Sequence, residues 1–195
     1  MQALTAVYVI NGASYLSAPI GGWISDSLIG RYWTVIVGIV VYIIGYVLLT
    51  LLSVNGLEFL GCSGNCTNEG YSCSICVYVI MILIGCGVGC LRANIPPFGA
   101  EQVRAKGENA VRQFFNAYYW CVNIGSLFGI GILAFVEQNV ANGFFISYIM
   151  ATVALFTSLI SFCCGKYYYV IHRPTSSTIQ NVFKIIGTQS KHIKN

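Results

Sequence analysis

Arg92 is the residue in this sequence with the most distinctive chemistry, because it follows 22 consecutive residues without a charge, Gly70 to Leu91, and stands just before Asn94, Pro96 and Pro97. A guanidinium in such a place either snorkels to a membrane interface or faces a protein interior or aqueous path. In the second case it can grip a carboxylate through two parallel hydrogen bonds. A polar stripe supplies further candidates. Asn116, Tyr119, Asn123 and Ser126 recur at intervals of three and four, so they share one face of a helix. Asn11, Ser14 and Tyr15 form a similar group near the start of the chain. Such groups either bond from helix to helix or line a solvated cavity.

Cysteines form a third group. Cys62, Cys66, Cys73 and Cys76 are spaced C-x3-C-x6-C-x2-C, which superficially resembles a zinc site. In an oxidising compartment disulfides are the better reading, and no metal is expected. Asn65-Cys66-Thr67 is a glycosylation acceptor in the same stretch. Cys73-Ser74-Ile75-Cys76 has redox spacing without the strand and helix pattern of a thioredoxin, so no enzyme is expected.

Elements that position these groups follow from composition. Of 195 residues, 56% are hydrophobic and 8% charged, against roughly 25% charged in a soluble domain. The few charges cluster and leave Met1–Ser25, Tyr32–Leu57, Gly70–Leu91, Gln113–Val136 and Gln138–Gly165 free of Asp, Glu, Lys and Arg. Each stretch exceeds the ~20 helical residues needed to cross a hydrocarbon core about 30 Å thick. The expectation is an all-α membrane protein, with a bundle over residues 1–165 and spans at about 4–25, 33–55, 75–96, 114–136 and 143–164. Residues 166–195 then form a cytoplasmic tail or linker. The first stretch lacks the basic start of a signal peptide, and Asn11, Gly12, Ser14 and Tyr15 interrupt it, so it reads as a working helix.

Basic residues fix the orientation. Arg31, then Arg104, Lys106 and Arg112, then Lys166 and Arg173 fall in alternate breaks, whereas the remaining breaks hold Glu58, Glu69 and Glu137 without a Lys or Arg. Positive flanks stay cytoplasmic, so the C-terminus is cytoplasmic and the Asn65 loop is lumenal or external. This leaves Met1 on the outer side, which an upstream helix would resolve. Gly85, Gly87 and Gly89 allow close helix packing, and Cys163-Cys164-Gly165 at the cytoplasmic end of the fifth span reads as membrane packing.

Three segments carry a family resemblance. G-G-W-I-S-D-S-L-I-G-R-Y-W-T-V over 21–35 resembles the G-x-x-A-D-x-x-x-G-R-Y-x-T-I signature of the proton-coupled oligopeptide transporters, with Asp26, Gly30 and Arg31 at its fixed positions. F-N-A-Y-Y-W-C-V-N-I-G-S-L over 115–127 is similar to the family's F-x-x-F-Y-x-x-x-N-x-G-S-L, which includes Gly125. Between them, G-C-L-R-A-N-I-P-P-F-G-A-E-Q over 89–102 resembles a stretch of the peptide/histidine branch of solute carrier family 15. The resemblance implies a major-facilitator N-terminal bundle, containing family helices two to six and lacking the first helix and the C-terminal half. It implies symport of di- or tripeptides or histidine, with protons as the coupling ion and no cofactor. Tyr15, Arg92, Tyr119 and Asn123 then fall on the wall of the peptide cavity.

Arg92 stands where the family carries a Lys, and an Arg cannot lose its proton as a desolvated Lys can. Glu101 stands for the branch's Asp. The expected partners are a peptide or histidine, the lipid bilayer and the missing segments, with no nucleic acid. The expected membrane is the plasma membrane or an endosomal or lysosomal one. This piece alone is expected to be inactive, and the rival role is a non-transporting scaffold or an assembly partner.

Overall fold

The computed structural model describes residues 2–53 and 70–171, which are almost entirely helical, with no strand among them. Five long helices follow one another: α1 (Gln2–Ile24), α2 (Arg31–Ser53), α3 (Gly70–Val103), α4 (Glu108–Asn139) and α5 (Gly143–Cys164). The last four are long and apolar enough to cross a membrane. Helix α1 matches them in length, but Asn11, Gly12, Ser14, Tyr15 and Ser17 lower its hydropathy.

Helices α3 and α4 run beyond the ranges 75–96 and 114–136 expected from hydropathy. At 1.5 Å per residue, the 34 residues of α3 extend about 51 Å, so the helix projects past a hydrocarbon core about 30 Å thick. Loss of apolar character marked where the membrane ends, not where the helix ends.

The links between helices are short and built by particular residues. Gly30, at φ 88°, turns the chain from a π-helical turn, Ser25–Ile29, into α2, and only glycine adopts that φ without strain. Its carbonyl then receives both the Thr34 backbone N–H and the Thr34 hydroxyl, at 3.1 and 3.0 Å. Asn142, left-handed at φ 56°, similarly folds α4 back onto α5.

Packing is uneven. Helix α1 lies along α3, α3 along α2, and α2 along α5, whereas α4 is held chiefly by α5 and by the end of α3. Close approach of α1 and α3 depends on small residues. A Cβ on Gly85 would stand 2.6 Å from the Ala13 Cβ, and one on Gly89 would overlap the Ser17 hydroxyl and the Ser14 carbonyl. The apolar core consists of Val35, Ile39 and Ile43 of α2, covered by Leu91, Ile95, Leu155, Leu159 and Phe162.

Below that core, Tyr32 is stacked on Phe162 with ring centroids 5.4 Å apart. Phe98 and Tyr169 complete a four-ring cluster, with Phe98 5.6 Å from Phe162 and 5.3 Å from Tyr169. This cluster joins α2, α3, α5 and the chain's exit from α5. Helix α4 has no buried residue.

Candidate functional site

Charge is concentrated at one end of the bundle. Arg31 Nη1 donates to Glu101 Oε1 at 2.5 Å, and Arg31 Nε donates to Asp26 Oδ1 at 3.2 Å. Thus one guanidinium joins the π-helical turn, the start of α2 and the end of α3. Gln102 fastens the same end by donating to the Val170 carbonyl at 3.1 Å and accepting from the Val170 N–H at 2.7 Å. A cavity of about 620 Å³ opens beside these groups, lined by Arg31, Glu101, Arg104, Glu108 and Phe115 among others. The signature positions Asp26, Gly30 and Arg31 therefore hold a corner of the bundle together. Glu101 is the partner that sequence reasoning did not assign. Its signal was an acid two residues beyond the Pro-Pro-Phe-Gly run, at a charge level shared with Arg31.

Arg92 lies away from that end. Nine residues separate it from Glu101, which places it about 14 Å farther along α3. Its guanidinium carbon sits 5.9 Å from the centroid of the Tyr15 ring, in cation–π contact between α3 and α1. Helix α3 continues past Arg92 to Val103. Arg92 and Tyr15 are both exposed, so this pair faces an open side of the bundle.

Prolines add polar groups beside the pair. Pro19 cannot donate the helical hydrogen bond that the Tyr15 carbonyl would receive, and Pro96 cannot donate to the Arg92 carbonyl. The two residues whose side chains meet thus also have carbonyls without their regular helical donors, as does Ala93, four residues before Pro97. Both carbonyls can accept from water or from a bound ammonium or amide.

The polar stripe of the first helix divides. Ser14 is 2% exposed against α3, and Asn11 donates to its own helix at Val7 O, 2.9 Å away, while Tyr15 looks outward. Nearby Asn94, only 1% exposed, donates to Cys90 O at 2.8 Å and across to Gly21 O at 3.3 Å. This bridge between α3 and α1 was missed in the sequence. Its signal was an Asn two residues beyond Arg92 in an otherwise apolar helix.

On α4 the stripe remains open. Tyr119 is 70% exposed, Asn116, Asn123 and Ser126 are exposed, and Asn123 donates to Tyr119 O of its own helix at 2.7 Å. Bonding from helix to helix, one of the two readings of this stripe, is not what the described residues show. A Cβ on Gly125 would meet nothing within 4 Å. No hydrogen bond or ring contact among the described residues joins Tyr119 and Asn123 to Tyr15 and Arg92.

Asn65, Cys62 and Cys66 lie outside the described residues, as does the Cys73 side chain. Cys76 is a half-buried free thiol. No cluster able to hold a metal occurs among the described residues.

Among the described residues the chain is a bundle of long apolar helices with a charged corner at one end and, in Arg92, a guanidinium that makes no ion pair, the architecture of a polytopic membrane protein. The PTR2 profile, described as the POT family, matches residues 32–194, and the chain belongs to that family. Solute carrier family 15 member 3 of Mus musculus is 30% identical over 199 residues, an alignment covering 94% of this chain and 34% of the relative. Protein NRT1/ PTR FAMILY 8.1 of Arabidopsis thaliana is 31% identical over 180 residues, covering 90% of this chain and 31% of the relative. The crystal structure of the POT family transporter PepTSo superposes with a TM-score of 0.71 at 20% identity, over 88% of this chain and 30% of that one. The fold is therefore that of a POT transporter, and the chain spans about a third of the length of these relatives.

Proposed function

We propose that this chain supplies one wall of a proton-coupled symporter for di- or tripeptides or histidine, with Tyr15, Arg92, Tyr119 and Asn123 facing the substrate. The observation that carries this reading is the Arg92–Tyr15 pair, exposed about 14 Å from the charged end of α3. A guanidinium at that depth is costly unless it faces water or an anionic ligand, and a peptide's terminal carboxylate fits its planar fork. Tyr15 fixes the fork's position while leaving its donors free. The carbonyls of Tyr15 and Arg92, deprived of helical donors, are suited to a substrate N–H.

The described basic residues other than Arg92, namely Arg31, Arg104, Lys106, Arg112 and Lys166, all sit at or next to the helix ends on one side of the bundle. We assign that side to the cytoplasm by the bias of positive flanks. Protons are the coupling ion in this reading, no catalysis is involved, and the remaining cavity wall comes from segments that the longer relatives possess.

The test is a graft. Residues 1–171 replace the corresponding segment of an active POT relative, and counterflow uptake of a dipeptide and of histidine is measured in proteoliposomes. Uptake that is lost in Arg92→Ala, in a graft that still reaches the membrane, is the expected result. Undiminished uptake by Arg92→Ala would remove Arg92 from the substrate wall. Proteoliposomes holding the 195-residue chain alone should take up nothing. The exposed length of α4 favours, as a second reading for the chain by itself, assembly with another membrane protein. Co-purification with a full-length relative tests that role.

A further inference from the structure

Cys163 and Cys164 are the last two residues of α5, and both thiols are exposed. Their place in the sequence reads as membrane packing, and no described residue of the bundle covers either thiol. Directly after them comes a 3-10 turn, Gly165–Tyr168, where Lys166 Nζ stands 5.8 Å from the centroid of the Trp33 ring. Tyr167 and Tyr168 are 94% and 89% exposed. A Trp, a Lys whose ammonium stands over that ring, and two outward tyrosines mark the level where hydrocarbon meets headgroups. The cysteine pair thus lies at the membrane boundary, with both sulfurs open.

The other described cysteines differ. Cys76, Cys86 and Cys90 are half buried in α3, with Cys90 packed against Gly21. Cys121 is exposed but sits 13 residues along α4 from Glu108, about 20 Å from that end.

We propose that Cys163 and Cys164 are a site of S-acylation by long-chain fatty acids. Adjacent thiols at the cytoplasmic end of a span are within reach of a membrane acyltransferase and its acyl-coenzyme A donor. Each cysteine sulfur attacks the acyl carbonyl carbon, a new thioester C–S bond forms, and the C–S bond to coenzyme A breaks. Coenzyme A leaves as the thiol, carrying the proton that the cysteine lost, and nothing is oxidised or reduced. The reducing cytosol keeps both thiols available. Acyl chains attached here enter the leaflet alongside α5 and hold the chain's exit from the bundle at the membrane surface. The proposal rests on the orientation assigned above.

The test uses the whole 195-residue chain with a C-terminal epitope tag, expressed in cultured cells. Free thiols are blocked, thioesters are cleaved with neutral hydroxylamine, and the released thiols receive a mass-tagged maleimide. Two hydroxylamine-dependent mass steps are expected, one in Cys163→Ser or Cys164→Ser, none in the double variant, and two in Cys121→Ser. Absence of any step in the unmodified sequence, or steps that survive in the double variant, would overturn the proposal. Protease added after selective permeabilisation of the plasma membrane reads the orientation separately. A digested tag without acylation removes only the modification, whereas a protected tag removes the orientation and the site with it.

Discussion

The α1–α3 contact and the exposed length of α4 are built from the same residue types, and they use them in opposite ways. Between α1 and α3, Gly85 and Gly89 bring two backbones together, Ser14 is enclosed, and Asn94 bonds across the gap. On α4, Gly125, Gly129 and Gly131 would each accept a Cβ without touching anything within 4 Å, and Asn123 bonds only to its own helix. Small and polar residues at helical spacing therefore do not by themselves announce contact. What decides is whether a second helix within the chain meets that face. In lipid, where no hydrophobic force drives helices together, such residues are useful only against a partner or water.

The widest gap between the two regions should appear on filling their glycines. Gly89→Val drives side-chain atoms into the Ser14 carbonyl and the Ser17 hydroxyl, and overpacking of this kind should cost about 3 kcal/mol or more. Little folded protein should be recovered in detergent. Gly125→Ala should leave the melting temperature unchanged or raise it, because alanine is the better helix former by about 1 kcal/mol. A Gly125→Ala variant that melts as early as Gly89→Val would show that α4 is packed after all, and the comparison would fail.

The two asparagines offer a finer version. Asn94 is enclosed and bonded across helices, so Asn94→Ala should cost about 1–3 kcal/mol. Asn123→Ala on exposed α4 should fall within about 0.5 kcal/mol of the original chain. Thermal unfolding followed by the reactivity of half-buried Cys90 reports both. At the charged corner, Arg31 and Glu101 retain 30% and 23% side-chain exposure, which weakens their bond relative to a dry one. A double-mutant cycle through Arg31→Ala and Glu101→Ala should give a coupling of about 1–2 kcal/mol. A coupling near zero would mean that the corner is held by its aromatic cluster and the Gln102–Val170 bonds without help from this ion pair.

Sequence and structure agree best where a residue's job is imposed by the membrane or by backbone geometry. Absence of charge over long stretches announced an all-helical membrane bundle, and Gly30 stood in its motif because the turn into α2 needs a positive φ. Partners were harder to read. Glu101 and Asn94 act across helices, and nothing in their neighbours along the chain names Arg31 or Gly21 as the other half. Helix ends were hidden for a related reason, since the final turns of α3 carry charge while remaining helical.

Arg92 itself sharpens the comparison with the least disturbance to the fold. Its guanidinium contacts an exposed ring, an interaction of about 0.5–1 kcal/mol, so Arg92→Lys should scarcely move the melting temperature. Its effect should appear in transport. Desolvation can strip the proton from a lysine within the working pH range, whereas a guanidinium stays charged. If the proton must leave this position during each cycle, a graft carrying Arg92 will exchange dipeptide across the membrane yet fail to concentrate it, and Arg92→Lys will restore accumulation under a proton gradient. That is the expected outcome. Should the Arg92 graft already accumulate dipeptide as strongly as its lysine variant, the position acts as a fixed clamp for the substrate carboxylate, and proton coupling resides in segments outside this chain. Counterflow and gradient-driven uptake measured on the same two preparations separate these cases, because counterflow needs only binding and access while accumulation also needs the proton to move.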